Sequence, residues 1–243
     1  MKAVILAGGL GRRLEPVTST IPKVLAPLGE TPILEIVLRR LRASGFTEAV
    51  LALGYLGELV EAFVTARRGR FAGLEIGMVH EEEPTGTAGA LALVPALDET
   101  FLVMNGDVLT DLDLGELVAS HRASGAPLTV ACTRQTTRLE AGVLHFDRES
   151  GRLTRYEEKP EVTYTVSMGI YVYEPEVLRN LPRGRPVDQP EVVESLLSRG
   201  ERVHCFEAES LWYDIGTRAG YREARERFAA DPGRFLPSCG SRC

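Results

Sequence analysis

The chain is poor in the residues that build metal fingers, disulfide frameworks and redox centres. Four cysteines, four histidines and one tryptophan are scattered through 243 residues. Cys132, Cys205, Cys239 and Cys243 have no further Cys or His at ligand spacing, which argues against a zinc site. Cys132 and Cys205 fall in strand-like runs and are expected to be buried thiols; Cys239 and Cys243 belong to a tail, 237–243, expected to be disordered. His80, His121, His145 and His204 stand apart from one another, so each is expected to be a satisfied structural side chain. Long apolar runs are missing too. Asp, Glu, Arg or Gly interrupts every one before it could cross a bilayer, and the run after Lys2 is too short for a signal peptide. No membrane partner and a cytoplasmic location are the expectations. Positive charge is not in excess: 28 Lys and Arg face 34 Asp and Glu, a net charge of −6, which speaks against a nucleic-acid surface. No repeat, low-complexity linker or block of like charge marks a boundary. Residues 1–236 are therefore expected to form one domain with two lobes, about 1–135 and 136–236.

What the chain does have is glycine in a telling place. A short β-branched run, Val4-Ile5-Leu6, reads as a strand covered on both faces. Ala7-Gly8-Gly9-Leu10-Gly11-Arg12-Arg13-Leu14 follows directly. Glycines there allow a sharp turn and bring backbone N–H groups against a ligand, a nest that suits anions. Arg13 and Lys23 add full charges beside it, so the segment reads as a site for a nucleotide's phosphates. A dinucleotide fingerprint would open straight into a helix, but Pro16, Pro22 and Pro27 forbid that here. A Walker loop would close on Gly-Lys-Ser/Thr, which is absent.

Downstream, strand and helix signals alternate. Residues 49–53, 74–79, 101–104 and 128–132 read as strands; 56–67, with Leu59, Val60 and Phe63 inward, and 114–124 read as helices. Thr31 is placed to cap a helix with Pro32 at its first position, an apolar face from Ile33 to Leu41, and a stop at Gly45. From Gly142 the pattern changes to closely spaced strands, 143–146, 153–157 and 166–173, followed by helices over 192–197 and 218–228. The expected fold is a Rossmann-like three-layer α/β/α sandwich, its sheet mixed but mainly parallel, with a β-rich insertion forming one wall of a site.

The segment from Ala7 to Gly29 resembles the signature of the sugar-1-phosphate nucleotidyltransferases. Gly8, Gly9, Gly11, Arg13, Leu14, Pro16, Thr18, Pro22, Lys23 and Leu25 stand in register with it, while Arg12 and Val24 depart from it. Five later motifs follow in family order. Asn105-Gly106-Asp107 matches a metal-binding Gly-Asp, and Trp212-Tyr213-Asp214-Ile215-Gly216-Thr217 a second metal aspartate, with Arg218 where Pro is usual. Pro84-Thr85-Gly86-Thr87-Ala88 matches a base-reading loop with Thr85 in place of Leu, and Glu157-Glu158-Lys159-Pro160 a sugar-phosphate motif. Val166-Ser167-Met168-Gly169-Ile170-Tyr171 matches a sugar-facing strand, Ser167 standing where the family has Asn. Relatives often carry a C-terminal β-helix, for which this chain ends too soon.

The resemblance implies an enzyme joining an NTP and a sugar 1-phosphate into an NDP-sugar, with release of pyrophosphate. Arg13 would hold the pyrophosphate, Lys23 the α-phosphate, and Asp107 and Asp214 a Mg²⁺ ion. Leu6, Ala7, Gly8, Gly9, Gly11, Arg12, Glu81, Gly86, Thr87 and Ala88 would line the nucleotide, and Asn105, Gly142, Glu158, Lys159, Ser167 and Gly169 the sugar phosphate. A carboxylate at Glu81 accepts from two donors of guanine but from one of uracil or thymine, which tilts the base to GTP and the sugar to a manno type. Glucose 1-phosphate with dTTP or UTP, and a non-catalytic nucleotide-sugar binder, remain open, as does a homodimer. A glycosyltransferase would use an Asp-x-Asp motif; Asp111-Leu112-Asp113 has that spelling but reads as a helix start.

Overall fold

The structure, a computed structural model, describes residues 1–14, 18, 20–182 and 185–236, apart from the side chains of Arg12 and Asn180. Pro16, the Arg12 side chain and the 237–243 tail with Cys239 and Cys243 lie outside the described residues. Strands β1 (Lys2–Ala7), β2 (Pro27–Leu28), β3 (Thr31–Pro32), β4 (Glu48–Leu53), β5 (Glu75–His80), β6 (Phe101–Asn105), β7 (Val108–Thr110), β8 (Leu128–Arg138), β9 (Gly142–Phe146), β10 (Leu153–Glu158), β11 (Glu161–Tyr173), β12 (Val203–Glu207) and β13 (Trp212–Asp214) are joined by helices. These are α1 (Ile33–Ala43), α2 (Gly57–Ala66), α3 (Gly86–Gly89), α4 (Leu114–Ser124), α5 (Gln189–Ser198), α6 (Arg218–Ala230) and α7 (Pro232–Phe235).

Seven strands form the central sheet in the order β12-β8-β11-β6-β1-β4-β5, and only β11 runs against its neighbours. The apolar run of β1 is covered on both sides, as its composition requires. Ala3, Ile5 and Ala7 join one core with α1 and α4, while Val4 joins the other with Leu91 and α5 residues Val192 and Leu196. The same period of two sorts Leu102 and Met104 of β6 from Phe101 and Val103. The result is the expected three-layer sandwich.

Three local expectations are corrected. Thr31 does not cap α1: it pairs with Leu28 in a two-residue ladder, and the helix begins after Pro32 with no side-chain cap. In α2 Val60 and Phe63 face the core as expected, joined by buried Val64 one turn after Val60, but Leu59 is exposed. Cys132 is buried but Cys205, on edge strand β12, is exposed.

β8 and β11 outrun the sheet. Beyond Thr133 their paired residues are largely exposed, and the β9–β10 hairpin continues this arm. The hairpin is inside out. Leu144 faces Tyr156 and Phe146 faces Leu153 on one side, all four 49–58% exposed. The other side carries His145, Arg155 and Glu157 in a charged cluster.

Behind the sheet, α1 buries a charge. The Glu35 carboxylate is 1% exposed and accepts from Arg67 at 3.1 Å and Arg70 at 2.8 Å, with Arg39 at 3.9 Å. Replacing Arg67 and Arg70 together by Met is expected to cost about 3 kcal/mol, because a buried carboxylate is left nearly unpaired. Glu35→Gln is expected to cost about 1–2 kcal/mol, since the arginines are exposed enough to be solvated. Urea unfolding of both variants checks the order; equal costs would refute the buried-charge account.

Candidate active site

Strand order reverses at β1: β4 and β5 lie on one side of it and β6 on the other. Open α/β sheets bind ligands in the crevice at such a switch point, outside the carboxyl ends of the strands. The glycine turn leaves β1 there and Asn105-Gly106-Asp107 leaves β6 beside it. Gly106 donates its N–H to the Leu6 carbonyl at 2.9 Å, and a Cβ in its place would meet Val24 Cγ1 at 2.9 Å, so only glycine allows this approach. Gly11, at φ +63°, accepts from the buried Thr18 hydroxyl at 2.8 Å and starts the turn Arg12–Leu14 through a 2.9 Å bond to Leu14 N–H. Arg13 is exposed on that turn and forms no ion pair among the described residues.

One corner of the crevice holds opposite charges. Lys23 Nζ forms an ion pair with Asp107 and lies 3.9 Å from Asp214 Oδ1. Asp214 reaches this place because β13 pairs with β7, setting Asp214 opposite Val108, and because Ile215 N–H donates to the Asp107 carbonyl at 3.2 Å. Its Oδ1 also accepts from Gly216 N–H at 2.7 Å. The expected constellation of Lys23, Asp107 and Asp214 is thus brought together from three distant parts of the chain.

The oxygen donors suit a hard divalent cation. Among the described residues no group of three or more His, Cys, Asp or Glu could hold a metal by itself. Two carboxylates completed by substrate phosphates and water is, however, the usual environment of Mg²⁺. Asp107 and Asp214 fit that ion as a pair.

A second corner joins the ends of β1, β4 and β5. Gly54 lies so close to Gly8 that a Cβ there would be 2.7 Å from the Gly8 carbonyl. Glu81 turns one carboxylate oxygen onto Gly8, while the other accepts from the Thr85 N–H at 2.9 Å and hydroxyl at 2.6 Å. Thr87 is engaged elsewhere: its N–H and hydroxyl donate to Asp188 Oδ1 at 2.8 and 3.0 Å, and Ala88 and Gly89 donate to the Val187 carbonyl. Of the expected base-reading loop, the Thr87 and Ala88 amides therefore fasten the loop to the start of α5. Gly86, at φ +81°, is forced to be glycine by the Val187 backbone.

The third corner is the root of the arm. Asn105 packs over Gly169, whose φ of +69° sits in a bulge where the β11–β8 register shifts between Ser167 and Tyr171. The Ser167 hydroxyl accepts from Gly169 N–H at 3.2 Å and donates to Tyr171 at 3.2 Å, so it serves the bulge. Trp212 Nε1 donates to the Met168 carbonyl at 2.8 Å, joining this strand to β13 and Asp214. Gly142, Glu158 and Lys159 are not brought to this corner: they lie at the outer end of the β8–β11 ribbon, where Glu158 accepts from Tyr156, whose ring lies against Gly142, and Lys159, at φ +46°, donates to Glu140 at 2.9 Å.

The remaining reactive side chains are committed elsewhere. His121 is buried between Thr129 and Glu174, at 2.7 and 3.0 Å. His204 contacts Ser120, and burial, then Arg202 and His121, lower its pKa. Burial, with help from Cys205 and Glu207, pushes the Cys132 thiol up to about 11. Asp113 caps α4 and Asp111 accepts from Leu211 N–H and Arg234, so the Asp-x-Asp spelling is structural. Sequence reasoning missed Gly54, Asp188 and the Asp111–Arg234 clasp. Only Asp188 had a signal, the Asp-x-x-Glu capping box formed with Glu191.

The family described as "Nucleotidyl transferase" matches residues 2–231. A "Mannose-1-phosphate guanylyltransferase catalytic subunit beta" of Danio rerio is 33% identical over 96% of this chain and 69% of its own length. A "Mannose-1-phosphate guanyltransferase beta-B" of Xenopus laevis is 34% identical over 89% of the chain, which spans 61% of that protein. Among solved structures, HddC from Yersinia pseudotuberculosis superposes with a TM-score of 0.73 at 24% identity, over 93% of this chain and 99% of that one, a likeness of fold.

Two glycines separate site from scaffold. A Cβ at Gly216 would lie 2.8 Å from both Lys23 Nζ and Asp214 Oδ1, the movable ends of side chains. Gly216→Ala is expected to leave the melting temperature within about 2 °C of wild type while lowering kcat at least about tenfold. Gly86→Ala, which strikes fixed backbone at positive φ, is expected to cost about 2–3 kcal/mol in stability. Thermal melts and turnover of both variants test this; a Gly216→Ala enzyme of full activity refutes the corner as the reacting site.

Proposed function

The chain belongs to the nucleotidyl transferase family, and on that premise we propose that it joins an NTP, with GTP favoured, to a sugar 1-phosphate of manno type, making the NDP-sugar and pyrophosphate. One observation carries the reading: Lys23, Asp107 and Asp214 converge at the switch point beside the glycine turn. The sugar phosphate is already an anion at neutral pH, so attack on the α-phosphorus needs no general base. The placement of every histidine outside this corner agrees with that. What the reaction needs is alignment of two anions and neutralisation of charge in the transition state. Lys23 would meet the α-phosphate, and exposed Arg13, on the turn after the glycines, the leaving pyrophosphate. Lys159 and Glu158, carried at the outer end of the β8–β11 ribbon, would receive the sugar phosphate and its hydroxyls when the arm folds over the crevice, with Asn105 and Gly169 as the floor. Mg²⁺, held by Asp107 and Asp214, would neutralise phosphate charge when bound.

The base preference rests on Glu81. One of its oxygens is fixed by Thr85 and the other faces Gly8. Guanine offers that oxygen both a ring N–H and an exocyclic amine, and uracil or thymine one ring N–H. The names of the Danio and Xenopus relatives support mannose 1-phosphate and GTP as the pair to try first.

The arm supports a dimer. Leu144, Phe146, Leu153 and Tyr156, each 49–58% exposed, form one contiguous apolar face on it. A second copy would cover it about a two-fold axis, which sets the same patch of both chains face to face. Sedimentation is expected to give a dimer at micromolar concentration and a monomer for Leu144→Glu/Phe146→Glu. A wild-type monomer at 100-fold higher concentration refutes it.

Pyrophosphate release with Mg²⁺, across five NTPs and glucose, mannose and heptose 1-phosphates, tests the activity. GTP with mannose 1-phosphate is expected to give the highest kcat/KM. Glu81→Gln is expected to narrow the preference for GTP over UTP about tenfold or more, and Asp107→Ala to lower kcat by about 10³ or more. No turnover in any pair, with nucleotide sugar still bound, would mark a non-catalytic binding protein.

A further inference from the structure

The backbone of Lys23 is fixed. Pro22 precedes it in an extended conformation, the single turn Lys23–Leu25 is closed by bonds from Leu25 N–H to the Pro22 carbonyl and from Ala26 N–H to the Lys23 carbonyl, and buried Val24 packs onto Gly106. Only the side chain can move. Its ammonium, on a side chain 14% exposed, reaches both Asp107 and Asp214 and sits where any cation shared by those carboxylates must have its charge. Gly216 closes the remaining side, its missing Cβ leaving room for Nζ.

We propose that Lys23 is the resident cation of the free site: it neutralises the two aspartates until a nucleotide arrives, and divalent metal enters only as the ammonium is drawn off onto the α-phosphate. This rests on the functional reading above for the identity of the phosphate, but its first half concerns the protein alone. Two carboxylates carry a charge of −2, and a lysine among them leaves −1. A dication entering such a site must displace the ammonium or share a confined space with it, and either weakens its binding. Incoming phosphate charge reverses the balance, because a flexible ammonium follows the larger negative charge. Metal and nucleotide binding are thereby coupled through one side chain, and by linkage the coupling is reciprocal. The free enzyme is spared a tightly held metal that would have to reorganise at each turnover.

The test uses Mn²⁺ as the probe, read by electron paramagnetic resonance and by calorimetry, with the nucleotide-free 243-residue chain. Wild type is expected to bind weakly. Lys23→Met and Lys23→Gln, which remove the charge and keep much of the bulk, are expected to bind Mn²⁺ at least tenfold more tightly. Lys23→Arg, which keeps the charge, is expected to stay near wild type. Lys23→Met/Asp107→Asn is expected to lose the gain, assigning it to this site. Melting curves certify that each variant is folded. Equal affinity of wild type, Lys23→Met and Lys23→Gln overturns the proposal, as does a gain that survives Asp107→Asn. A protein that fails every substrate pair yet shows the Mn²⁺ gain refutes the enzymatic reading and leaves this one standing.

Discussion

The site depends on a short antiparallel ladder between β7 and β13. Asp107 directly precedes one strand, Asp214 ends the other, and the two strands come from far apart in the chain. Asp111 and Thr110 secure the far end. The Asp111 carboxylate accepts from Leu211 N–H at 2.7 Å and from Arg234 at 2.5 Å, and the Thr110 hydroxyl donates to the Leu211 carbonyl at 2.7 Å. Ile215 N–H to the Asp107 carbonyl secures the near end. Between them the ladder has three residue pairs, so a slip by one would turn Asp214 to the opposite face. Arg234, next to the buried Phe235, makes α7 part of this fastening. Stability in the C-terminal segment and geometry in the site are therefore one property.

A different element governs the base corner. The 85–89 loop has little apolar surface of its own and is held by the start of α5, through Val187, Asp188 and Gln189. Gln189 in turn accepts from buried Tyr173, whose hydroxyl pKa is raised by burial. Tyr173 stacks on Phe101 at the start of β6. The loop over the glycine turn is thus tied by polar contacts to the second core of the sheet, whereas the charged corner is tied to the first. Two corners anchored to opposite faces of one sheet meet only at its carboxyl edge.

Much of this was legible in the chain because the signals are local. The apolar runs of β1, β4 and β6 and the face of α1 from Ile33 to Leu41 follow from periodicity, and those three strands emerge within two residues of their expected bounds, whereas β8 and β11 run on to Arg138 and back to Glu161, well past the expected 128–132 and 166–173. Lys23, Asp107 and Asp214 were legible as a set only through resemblance, since no local pattern says that β13 lies against β7. Cys205 was misjudged because a strand's composition does not reveal that it is an edge strand. The Thr31 cap failed because Pro27-Leu28 competes for the same residues in a ladder, a tertiary choice invisible to capping rules. Thr87 and Ala88 were expected at the base. Their amides go to Asp188 and Val187, just ahead of α5, partners about a hundred residues away that only the folded chain supplies.

The charged corner and the arm also differ in stiffness, and the difference suits the proposed chemistry. Asp107, Lys23 and Gly216 sit on backbone fastened to the sheet, so their relative positions change only through side-chain torsions. Glu158 and Lys159 sit on an arm whose residues are exposed on both faces, and a two-stranded ribbon of that kind is marginal unless something covers it. The reacting phosphorus needs a rigid frame because in-line attack tolerates little misplacement. A sugar phosphate must enter and a larger nucleotide sugar must leave, which a hinged wall permits and a rigid one would slow. Lys159 is held at φ +46° where β10 gives way to β11, a conformation costly for a side chain of its kind and found where a structure concentrates function. The apolar face and Lys159 lie on the same outer part of the ribbon, Tyr156 three residues before the lysine and bonded to Glu158, so a partner that covers that face acts directly on the wall that carries the lysine.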